Sequence, residues 1–394
     1  MSVGCLARLE EVVEKTTGTR NPTKTPNDSF IYVDVAAVDN TKKIIVGARD
    51  ILGGAAPSRA RKLIRTGDIL VSTVRPNLNA VALVPADLDG QVASTGFCVL
   101  RPTAKVLPEY LFYFVISRKF VDGLSSLVAG AMYPAVTDSQ VLAQSLPVPP
   151  IPEQRRIVDI LSRADGIVRL RREAEQKAAE LIPALFLDMF GDPATNPKGW
   201  SVRKVSDFVS RFEGGKNIQA GSENGSPYRI LKVSAVTSGV YRESESKPSP
   251  DGYCPPASHI VRAGDMLFSR ANTEELVGAT AIVEKTDGKT LLPDKLWRFV
   301  WNEPVEQAYM HALFQSAHVR RELGKLSTGT SASMRNISQG KLFGFPLPIA
   351  PFANQKDFAE KTAAVRSIQS QQSAATAKAQ ATYDALLAQS FAGP

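Results

Sequence analysis

Few residues of this 394-residue chain have the types and the spacing that catalysis requires. His311 and His318 lie seven residues apart on a predicted helix, whereas paired metal-binding histidines on a helix are usually one turn apart, and His259 stands alone. No Gly-x-Gly-x-x-Gly follows a predicted strand, and the run 214–217 (Gly-Gly-Lys-Asn) lacks the spacing and the hydroxyl of a phosphate loop. The sequence therefore favours recognition or scaffolding over catalysis, and an enzyme with an unrecognised site stays an alternative.

The cysteines and the proline-rich loops also fit no reaction centre. Cys5, Cys98 and Cys254 are scattered and odd in number, which predicts isolated thiols rather than a disulfide framework or a metal site. The run 253–256 reads Tyr-Cys-Pro-Pro, which has the aromatic residue before the prolines and lacks the leading residue of the Asn/Asp-Pro-Pro-aromatic loop that a DNA amino-methylase needs. We therefore expect no cofactor and no metal on this chain.

The charge of the chain bounds its partners. The formal net charge is +8, and the excess of Lys and Arg lies mainly in residues 1–150 and 191–350. Such a surplus is compatible with a polyanionic partner, although by itself it is a weak signal. No apolar run approaches the ~20 residues that span a bilayer. Residues 1–20 lack the apolar block of a signal peptide, so we expect a cytoplasmic protein with no membrane contact.

The chain repeats itself. The motif Gly67–Ser72 returns as Gly264–Ser269, 197 residues later, and Leu146–Pro149 returns as Phe345–Pro348, 199 residues later. Each copy contains short β-branched runs that predict strands, followed by a predicted helix, 109–124 in the first copy and 306–323 in the second. A duplicated chain has two similar surfaces, which suit two similar targets or one target with two parts.

Each copy ends in a long helical pattern. Pro152 suits the first helical turn, and residues 153–189 contain one proline and one glycine, so about 37 residues would form a rod of roughly 55 Å. The second helix is predicted to begin near Asn354, which with Asp357 resembles a capping box. The apolar stripes follow a 3-4 spacing: Ile157, Ile160, Ala164, Ile167, Ala174, Ala178, Leu181 and Leu185, and then Phe358, Val365, Ile368, Ala375, Ala379 and Leu386.

These patterns predict the fold class. We expect an α+β protein with two similar mixed α/β domains, separated by two long antiparallel helices that pack like a coiled coil and related by a pseudo-twofold axis. The alternative is that each helix packs on its own domain. The predicted segments are a first domain at 1–150, a long helix at 151–190, a linker at 191–199, a second domain at 200–350 and a second long helix at 351–394.

The repeated motifs resemble the specificity subunit of type I restriction–modification systems. The most specific element is the proline-rich stretch that leads into Glu-Gln-Arg-Arg-Ile at the start of the first long helix, within residues 146–158. The resemblance covers the whole chain, as two target-recognition domains that are each followed by a helix. The second copy, which reads Pro-Ile-Ala-Pro-Phe-Ala-Asn-Gln over 348–355, lacks the Glu-Gln-Arg-Arg run.

The resemblance implies a non-catalytic subunit that binds a bipartite double-stranded DNA sequence with an unread spacer. It also implies two methyltransferase subunits, which carry S-adenosylmethionine and dock on the long helices, and a restriction subunit that translocates DNA. On the first helix, Glu153, Arg155 and Arg156 are the candidate partner contacts, and a solvated, self-paired helix surface is the alternative. A coiled-coil scaffold without DNA contact is a further alternative to the whole function.

Two loops in each copy are candidates for base reading, because Arg and Asn are the side chains that recognise guanine and adenine in the major groove. The first follows the Gly-Asp strand, and we expect Asp68 and Asp265 at its entry to bond backbone amides instead of DNA. The second follows the domain helix and differs between copies, as different half-sites would require and as any unconstrained loop would allow. The candidates are Arg75, Asn77, Asn79 and Tyr133 in the first copy, and Arg270, Asn272, Thr273, Ser333, Arg335 and Asn336 in the second.

A third set of candidates is basic and precedes the Gly-Asp strand. It comprises Arg20, Lys24, Arg59, Arg61 and Lys62 in the first copy, and Lys216 and Asn217 in the second. These residues suit phosphate positioning better than base reading. A solvated helix face is the alternative for the cluster at 59–65.

Overall fold

The computed structural model describes residues 5–15, 18–128, 130, 132–223, 225–331 and 334–392. They form two units, the first built from Met1–Glu173 with Ala374–Pro394 and the second from Ala174–Ser373. The helices are α1 Pro108–Ile116, α2 Arg118–Ser126, α3 Asp138–Leu142, α4 Ile151–Phe190, α5 Ser234–Thr237, α6 Gln307–Gln315, α7 Ala317–Leu326, α8 Gln339–Phe343 and α9 Phe352–Phe391. Each of the long helices α4 and α9 therefore contributes one half to each unit.

The strands of the first repeat are β1 Cys5–Arg8, β2 Ser29–Val33, β3 Val38–Asp39, β4 Ile44–Ile45, β5 Arg49–Leu52, β6 Ala60–Leu63, β7 Ile69–Ser72, β8 Val81–Leu83, β9 Val92–Ser94, β10 Phe97–Leu100 and β11 Ser145–Val148. Those of the second are β12 Ser201–Lys204, β13 Val209–Gly214, β14 Arg229–Leu231, β15 Ser246–Pro248, β16 Met266–Ser269, β17 Ala271–Asn272, β18 Thr280–Ile282, β19 Thr290–Leu291, β20 Leu296–Trp301, β21 Thr328–Ser331, β22 Met334–Asn336 and β23 Pro346–Ile349. The sheet orders match between repeats: β10-β7-β8 corresponds to β20-β16-β18, and β1-β11 corresponds to β12-β23.

The Gly-Asp motif forms the turn that enters an inner strand, β7 in the first repeat and β16 in the second, as the sequence predicts. Gly67 and Gly264 have φ of 85° and 89°, which side chains other than glycine rarely adopt. The Asp68 carboxylate accepts a hydrogen bond from the Arg65 backbone N–H at 2.8 Å. It also pairs in bidentate fashion with the buried Arg101, at 2.7 and 2.8 Å. Asp265 likewise accepts from the Arg262 backbone N–H at 2.8 Å, and it pairs with the buried Arg298 through a single bond at 2.8 Å. The prediction that these aspartates bond backbone amides is confirmed.

The prediction of one helix over 109–124 and one over 306–323 is wrong. The first is interrupted at Ser117, whose backbone is extended and whose hydroxyl accepts a hydrogen bond from the Phe120 N–H, so that a new helix begins. The second is interrupted at Ser316, whose backbone is extended and whose hydroxyl donates to the carbonyl of Leu313 at 2.7 Å, without a capping bond to the next helix. Serine competes for backbone bonds at this position, and the apolar periodicity that suggested continuous helices does not register this competition.

The long helices pair in antiparallel fashion within each unit. In the first unit, Leu161 and Val168 of α4 share a core with Tyr383 and Phe391 of α9. In the second unit, the rings of Phe190 on α4 and Phe358 on α9 lie 5.4 Å apart. The start of one helix therefore meets the end of the other. The predicted fold class, two similar mixed domains with two long antiparallel helices, is confirmed.

The alternative that each helix packs only on its own domain is excluded by two phenylalanines that lie 201 residues apart. Phe391, at the end of α9, packs on Tyr110 with ring centroids 5.2 Å apart. Phe190, at the end of α4, packs on Tyr309 at 4.8 Å. Each long helix thus ends in the core of the other repeat, where the aromatic contact adds to the apolar area that is buried.

Two details of the long helices differ from the predictions. First, α9 begins at Phe352, so Asn354 lies inside the first turn and is not the cap. Second, the predicted stripes are displaced, because Ile167 and Ile368 are 52% and 49% exposed while Leu161 and Val168 are buried. Residues 160 and 161, like 167 and 168, are both apolar, so the spacing alone does not decide which of them faces the partner helix.

Candidate nucleic-acid interface

The two predicted reading loops of the first repeat lie side by side. Val74 forms a bridge with Ala135, and the N–H of Arg75 donates to the carbonyl of Pro134 at 2.8 Å. On the other side of the bridge, the N–H of Val136 donates to Thr73 at 2.8 Å. The loop after β7 and the loop between α2 and α3 therefore form one continuous surface, which the sequence alone did not predict.

This surface combines polar and apolar side chains that point into solvent. Arg75 and Asn77 are exposed, and Tyr133 is 80% exposed beside Met132 at 89%. Arginine and asparagine can each form two hydrogen bonds with the edge of one base, and apolar side chains can contact the thymine methyl group. The arrangement can therefore read several kinds of base pair. Met132 belongs to the predicted loop but was not among the predicted contact residues, because nothing in the local sequence distinguishes an exposed methionine from a buried one.

Asn79 differs from the other candidates in this loop. Its side-chain amide donates to the carbonyl of Ile116 at 3.3 Å, and its backbone carbonyl accepts a hydrogen bond from the ammonium of Lys43. The side chain is half-buried. Asn79 thus holds the loop in place, and its predicted base contact would require this amide to be released.

The basic candidates of the first repeat lie largely along β6. The N–H of Arg20 donates to the carbonyl of Arg61 at 2.9 Å, and Thr19 bridges Lys62. Arg59 is exposed just before β6, whereas Lys24 lies on the short 3-10 turn Pro22–Lys24. The alternative that residues 59–65 form a solvated helix face is wrong, because this segment pairs as a strand with β9.

Lys62 connects the basic strand to the reading loops. Its ammonium forms an ion pair with Asp138, the first residue of α3, which follows the loop that carries Tyr133. Because of this pair, the charge of Lys62 is balanced within the protein and is less available to DNA. Arg59, exposed, and the half-buried Arg61 therefore carry more of the cluster's available charge.

The second repeat presents its two reading loops on equivalent backbone. Ala271 pairs with Asn336 and Asn272 with Arg335, and β21 adds a third strand to form the sheet β17-β22-β21. The N–H of Ile337 donates to Arg270 at 2.9 Å, as Val136 donates to Thr73. The pairing therefore places Asn272, rather than Arg270, at the position of Arg75. The order of candidates in the sequence matches Arg75 approximately with Arg270. Strand register, which exists only in the folded protein, shifts this match by two residues.

The two arginines of the second repeat are held by neighbouring groups. Arg270 donates from Nε to the carbonyl of Asp294 at 2.8 Å, and its guanidinium lies 5.5 Å from the centre of the Trp297 ring. Arg335 pairs with Glu274 at 3.4 Å and donates to the carbonyl of Gly329 at 3.3 Å. Both guanidiniums are therefore oriented before any ligand arrives, and contacts to a base would compete with these bonds.

The remaining candidates of the second repeat lie near these arginines or outside the described residues. Lys216 and Asn217 are exposed, and Lys216 bridges Pro293 in the loop whose Lys295 carbonyl accepts from the Arg270 N–H. The Asn272 side chain accepts from the N–H of Thr273 at 2.9 Å. Ser333 lies outside the described residues. Lys295 was not predicted, and only this pairing brings it to the same loop cluster.

The candidate partner contacts lie at the start of α4. Arg156 and Glu153 form a bidentate pair at 2.7 and 2.8 Å, and the hydrogen bond from Arg156 lowers the pKa of Glu153. Arg155 is exposed, whereas Gln154 is fully buried. Within the Glu-Gln-Arg-Arg run, the charged residues therefore face solvent and the glutamine faces the protein.

Membrane-spanning helices and clusters of metal ligands are both absent from the described part of the chain. No described helix is both long enough and apolar enough to cross a membrane. Among the same residues, no group of three or more His, Cys, Asp or Glu side chains is arranged to hold a metal ion.

Comparison with known proteins assigns the family. Residues 6–180 match the model described as the type I restriction modification DNA specificity domain. The HsdS subunit of Thermoanaerobacter tengcongensis is 31% identical, with 100% of this chain and 97% of that chain covered and a TM-score of 0.47. The chain belongs to the type I restriction–modification DNA specificity family. This membership agrees with the resemblance carried by the repeated motifs.

Two further relatives support the assignment. A solved chain from work on complex assembly and conformational transition of the type I R-M system is 28% identical, with a TM-score of 0.67 over 99% of this chain and 98% of that chain. The specificity subunit of the type I restriction enzyme HindI from Haemophilus influenzae is 34% identical over 46% of this chain. The match spans only 39% of that curated relative's length.

Proposed function

We propose that this chain is a sequence-specific DNA-binding subunit that reads a bipartite target with a non-specific spacer. In this role it catalyses no reaction. It directs methyltransferase and restriction subunits to the target in the cytoplasm, and S-adenosylmethionine binds to the methyltransferase subunits. The specificity-family membership of the chain and its duplicated reading surfaces support this proposal.

One observation carries the proposal above all. The same backbone pairing, Val74 with Ala135 and Ala271 with Asn336, presents two loops in each repeat. The side chains on this common scaffold differ, with Arg75 in the first repeat where the second has Asn272. A duplicated scaffold that displays different hydrogen-bonding groups is what two different half-sites require.

The charges of the same surface suit the phosphate backbone. Arg20, Arg59 and Arg61 lie on or beside β6 in the first repeat, and Lys216 lies beside the Arg270 loop in the second. Phosphate contacts set the register and orientation of a protein on the duplex, whereas base contacts select the sequence. The division between basic strands and mixed reading loops follows this division of labour.

The long helices are the proposed docking sites for two methyltransferase subunits, with Glu153, Arg155 and Arg156 among the contacts on α4. The exposure of the Glu153–Arg156 pair supports this role. Replacement of Arg155 by alanine leaves the fold intact in this proposal and weakens the assembly. The restriction subunit then joins the assembled complex.

Selection from random duplexes tests the proposal. The full chain, assembled with its methyltransferase subunit, is incubated with a library of random 30-base-pair duplexes, and the bound DNA is sequenced. We expect two enriched blocks separated by a gap of fixed length and no base preference. Binding without enrichment would contradict sequence reading. No binding to any duplex at low salt would favour the alternative of a coiled-coil scaffold without DNA contact. Tight binding of S-adenosylmethionine by the isolated chain would favour the enzyme alternative.

A further inference from the structure

The first reading loop, residues 74–79, has a strained backbone. Arg75 and Asn79 have φ of 51° and 47°, and they flank the 3-10 turn Pro76–Leu78. The left-handed region is unfavourable for residues other than glycine, less so for asparagine than for arginine, so Arg75 persists there only because its surroundings hold it. The loop that carries Arg75 and Asn77 therefore depends on contacts from outside it.

Three contacts from different parts of the first repeat hold this loop. The N–H of Arg75 donates to Pro134, and the Asn79 amide donates to Ile116 at 3.3 Å. The third contact is the ammonium of Lys43, which donates to the carbonyl of Asn79. It is the charged member of the three, and hydrogen bonds from charged donors are about twice as strong as neutral ones.

The hairpin that carries Lys43 is itself ordered around this contact. Strands β3 and β4 are joined by a turn in which the Asp39 carboxylate accepts from the N–H groups of Thr41 and Lys42, each at 2.9 Å. Lys43 has φ of 56°, and its N–H donates to the Asp39 carbonyl at 2.8 Å. The Lys43 side chain is half-buried, and burial lowers its pKa to about 8. The ammonium thus gives up part of its hydration to reach the loop.

We propose that Lys43 is a positioning residue that determines the specificity of the first domain for its half-site. It does so without contacting DNA: it fixes the carbonyl of Asn79, and through it the loop from which Arg75 and Asn77 project. This inference rests on the proposed function and adds to it a residue that the local sequence does not mark, 36 positions before Asn79.

A pair of neighbouring lysines provides the test. Lys43→Met removes the contact, and Lys42→Met removes the same charge from the same turn, where the Lys42 side chain is exposed. Each variant, assembled with the methyltransferase subunit, is used in the random-duplex selection. We expect Lys43→Met to lower the preference for the favoured base about tenfold in one block, a loss in the range of one bidentate base contact, and to leave the other block unchanged. Lys42→Met should match the wild type.

Each result decides the inference. Unchanged blocks in Lys43→Met, or equal loss in both blocks, would overturn it, and thermal melting would show whether equal loss reflects unfolding. Lys43→Arg, which keeps a charged donor, should restore most of the preference, and failure to do so would count against the hydrogen bond as the cause. If the wild-type chain itself enriches no bipartite sequence, the proposed function is wrong. If the wild type enriches one and Lys43→Met leaves it unchanged, only the role of Lys43 is wrong.

Discussion

At the scale of single residues, polar side chains that look suited to binding are often occupied inside the protein. Asn79 bonds Ile116, Arg335 pairs with Glu274, and Lys62 pairs with Asp138. A buried polar group without a partner costs about 1–3 kcal/mol, so side chains near the core find partners. The exposed Arg75, Asn77, Arg59 and Tyr133 are consequently the stronger candidates for DNA contact.

The basic strand leads to a prediction about salt. Replacing Arg61 and Lys62 together with alanine should weaken binding to all duplex sequences and lower the slope of log K against log salt concentration by up to about two, since each lost phosphate contact contributes about 0.9. Fluorescence titration at several salt concentrations measures the slope. Because Lys62 is already paired with Asp138, the loss of Arg61 should account for more of the change in slope.

The matched control removes two positive charges elsewhere. Lys177 and Lys198 are both exposed, and their joint replacement by methionine should leave the slope as in the wild type. A loss of affinity for one sequence alone, after replacement of Arg61 and Lys62, would instead assign these residues to base reading.

His311 makes stability depend on pH in the second unit. Its Nδ1 lies 2.9 Å from the Thr280 hydroxyl, within hydrogen-bond distance, and the same hydroxyl accepts a hydrogen bond from the Gln315 side chain. Burial, followed by the nearby charge of Arg366, lowers the pKa of His311 to about 4 from 6.5. Between pH 6.5 and about 4, His311 is therefore protonated in the unfolded chain but neutral in the folded chain.

The sign of the effect follows directly. The contribution of neutral His311 to stability is complete above pH 6.5 and is lost as the pH falls toward 4, with a total of at most about 3 kcal/mol. His311→Gln should be less stable at pH 7 but should lose less stability between pH 6.5 and 4. Denaturant unfolding at several pH values measures this difference, and parallel pH profiles would rule out the role of His311.

At the scale of elements, the start of each long helix is fastened by a buried glutamine. Gln154 accepts from the N–H of Leu107 at 2.9 Å and donates to the carbonyls of Lys105 and Pro149. Gln355 accepts from Glu306 and donates to Ala350 in the second repeat. The second copy, which reads Asn-Gln-Lys-Asp over 354–357, thus changes the residues around the glutamine but retains the glutamine that joins helix to domain.

This contact predicts a separation of stability from assembly. Gln154→Ala should lower the free energy of unfolding by about 2–3 kcal/mol, because three buried backbone groups lose their partner. Arg155→Ala, one residue away and exposed, should leave unfolding unchanged and weaken binding of the methyltransferase subunit. Denaturant unfolding and titration with that subunit measure the two effects, and a Gln154→Ala chain of wild-type stability would contradict the structural role.

At the scale of the whole molecule, duplication is the dominant feature. Each unit is completed by the helix of the other repeat, through Phe190 on Tyr309 and Phe391 on Tyr110. Neither repeat therefore buries its core alone. This exchange makes each long helix part of both units.

The proposed function predicts that helix length sets spacer length. Inserting four residues into the middle of both α4 and α9 adds about 6 Å to each helix, which corresponds to one or two base pairs at about 3.4 Å per step. Random-duplex selection should then return the same two blocks with a longer gap. Insertion into α4 alone is the control, since it mismatches the antiparallel pair and should destabilise the protein. An unchanged gap after both insertions would contradict the prediction.

Much of the architecture was predictable from the sequence because it rests on local patterns. Strand and helix periodicities, the Gly-Asp turns and the repeat spacing are properties of neighbouring residues, and they predicted the two mixed domains and the two long helices. The breaks at Ser117 and Ser316 were missed because each serine hydroxyl bonds the carbonyl three residues before it and the backbone turns extended there, although the apolar pattern continues.

The sequence by itself determined the duplication, the residue types of the reading loops and the Gly-Asp turns, because each is encoded within a short stretch of chain. Only the tertiary structure decided which loops meet, which candidate side chains are free and which face of each helix is buried. The contacts of Val74 with Ala135 and of Lys43 with Asn79 join residues that are distant in the chain. Their energies depend on strand register and burial, which exist only once the chain has folded.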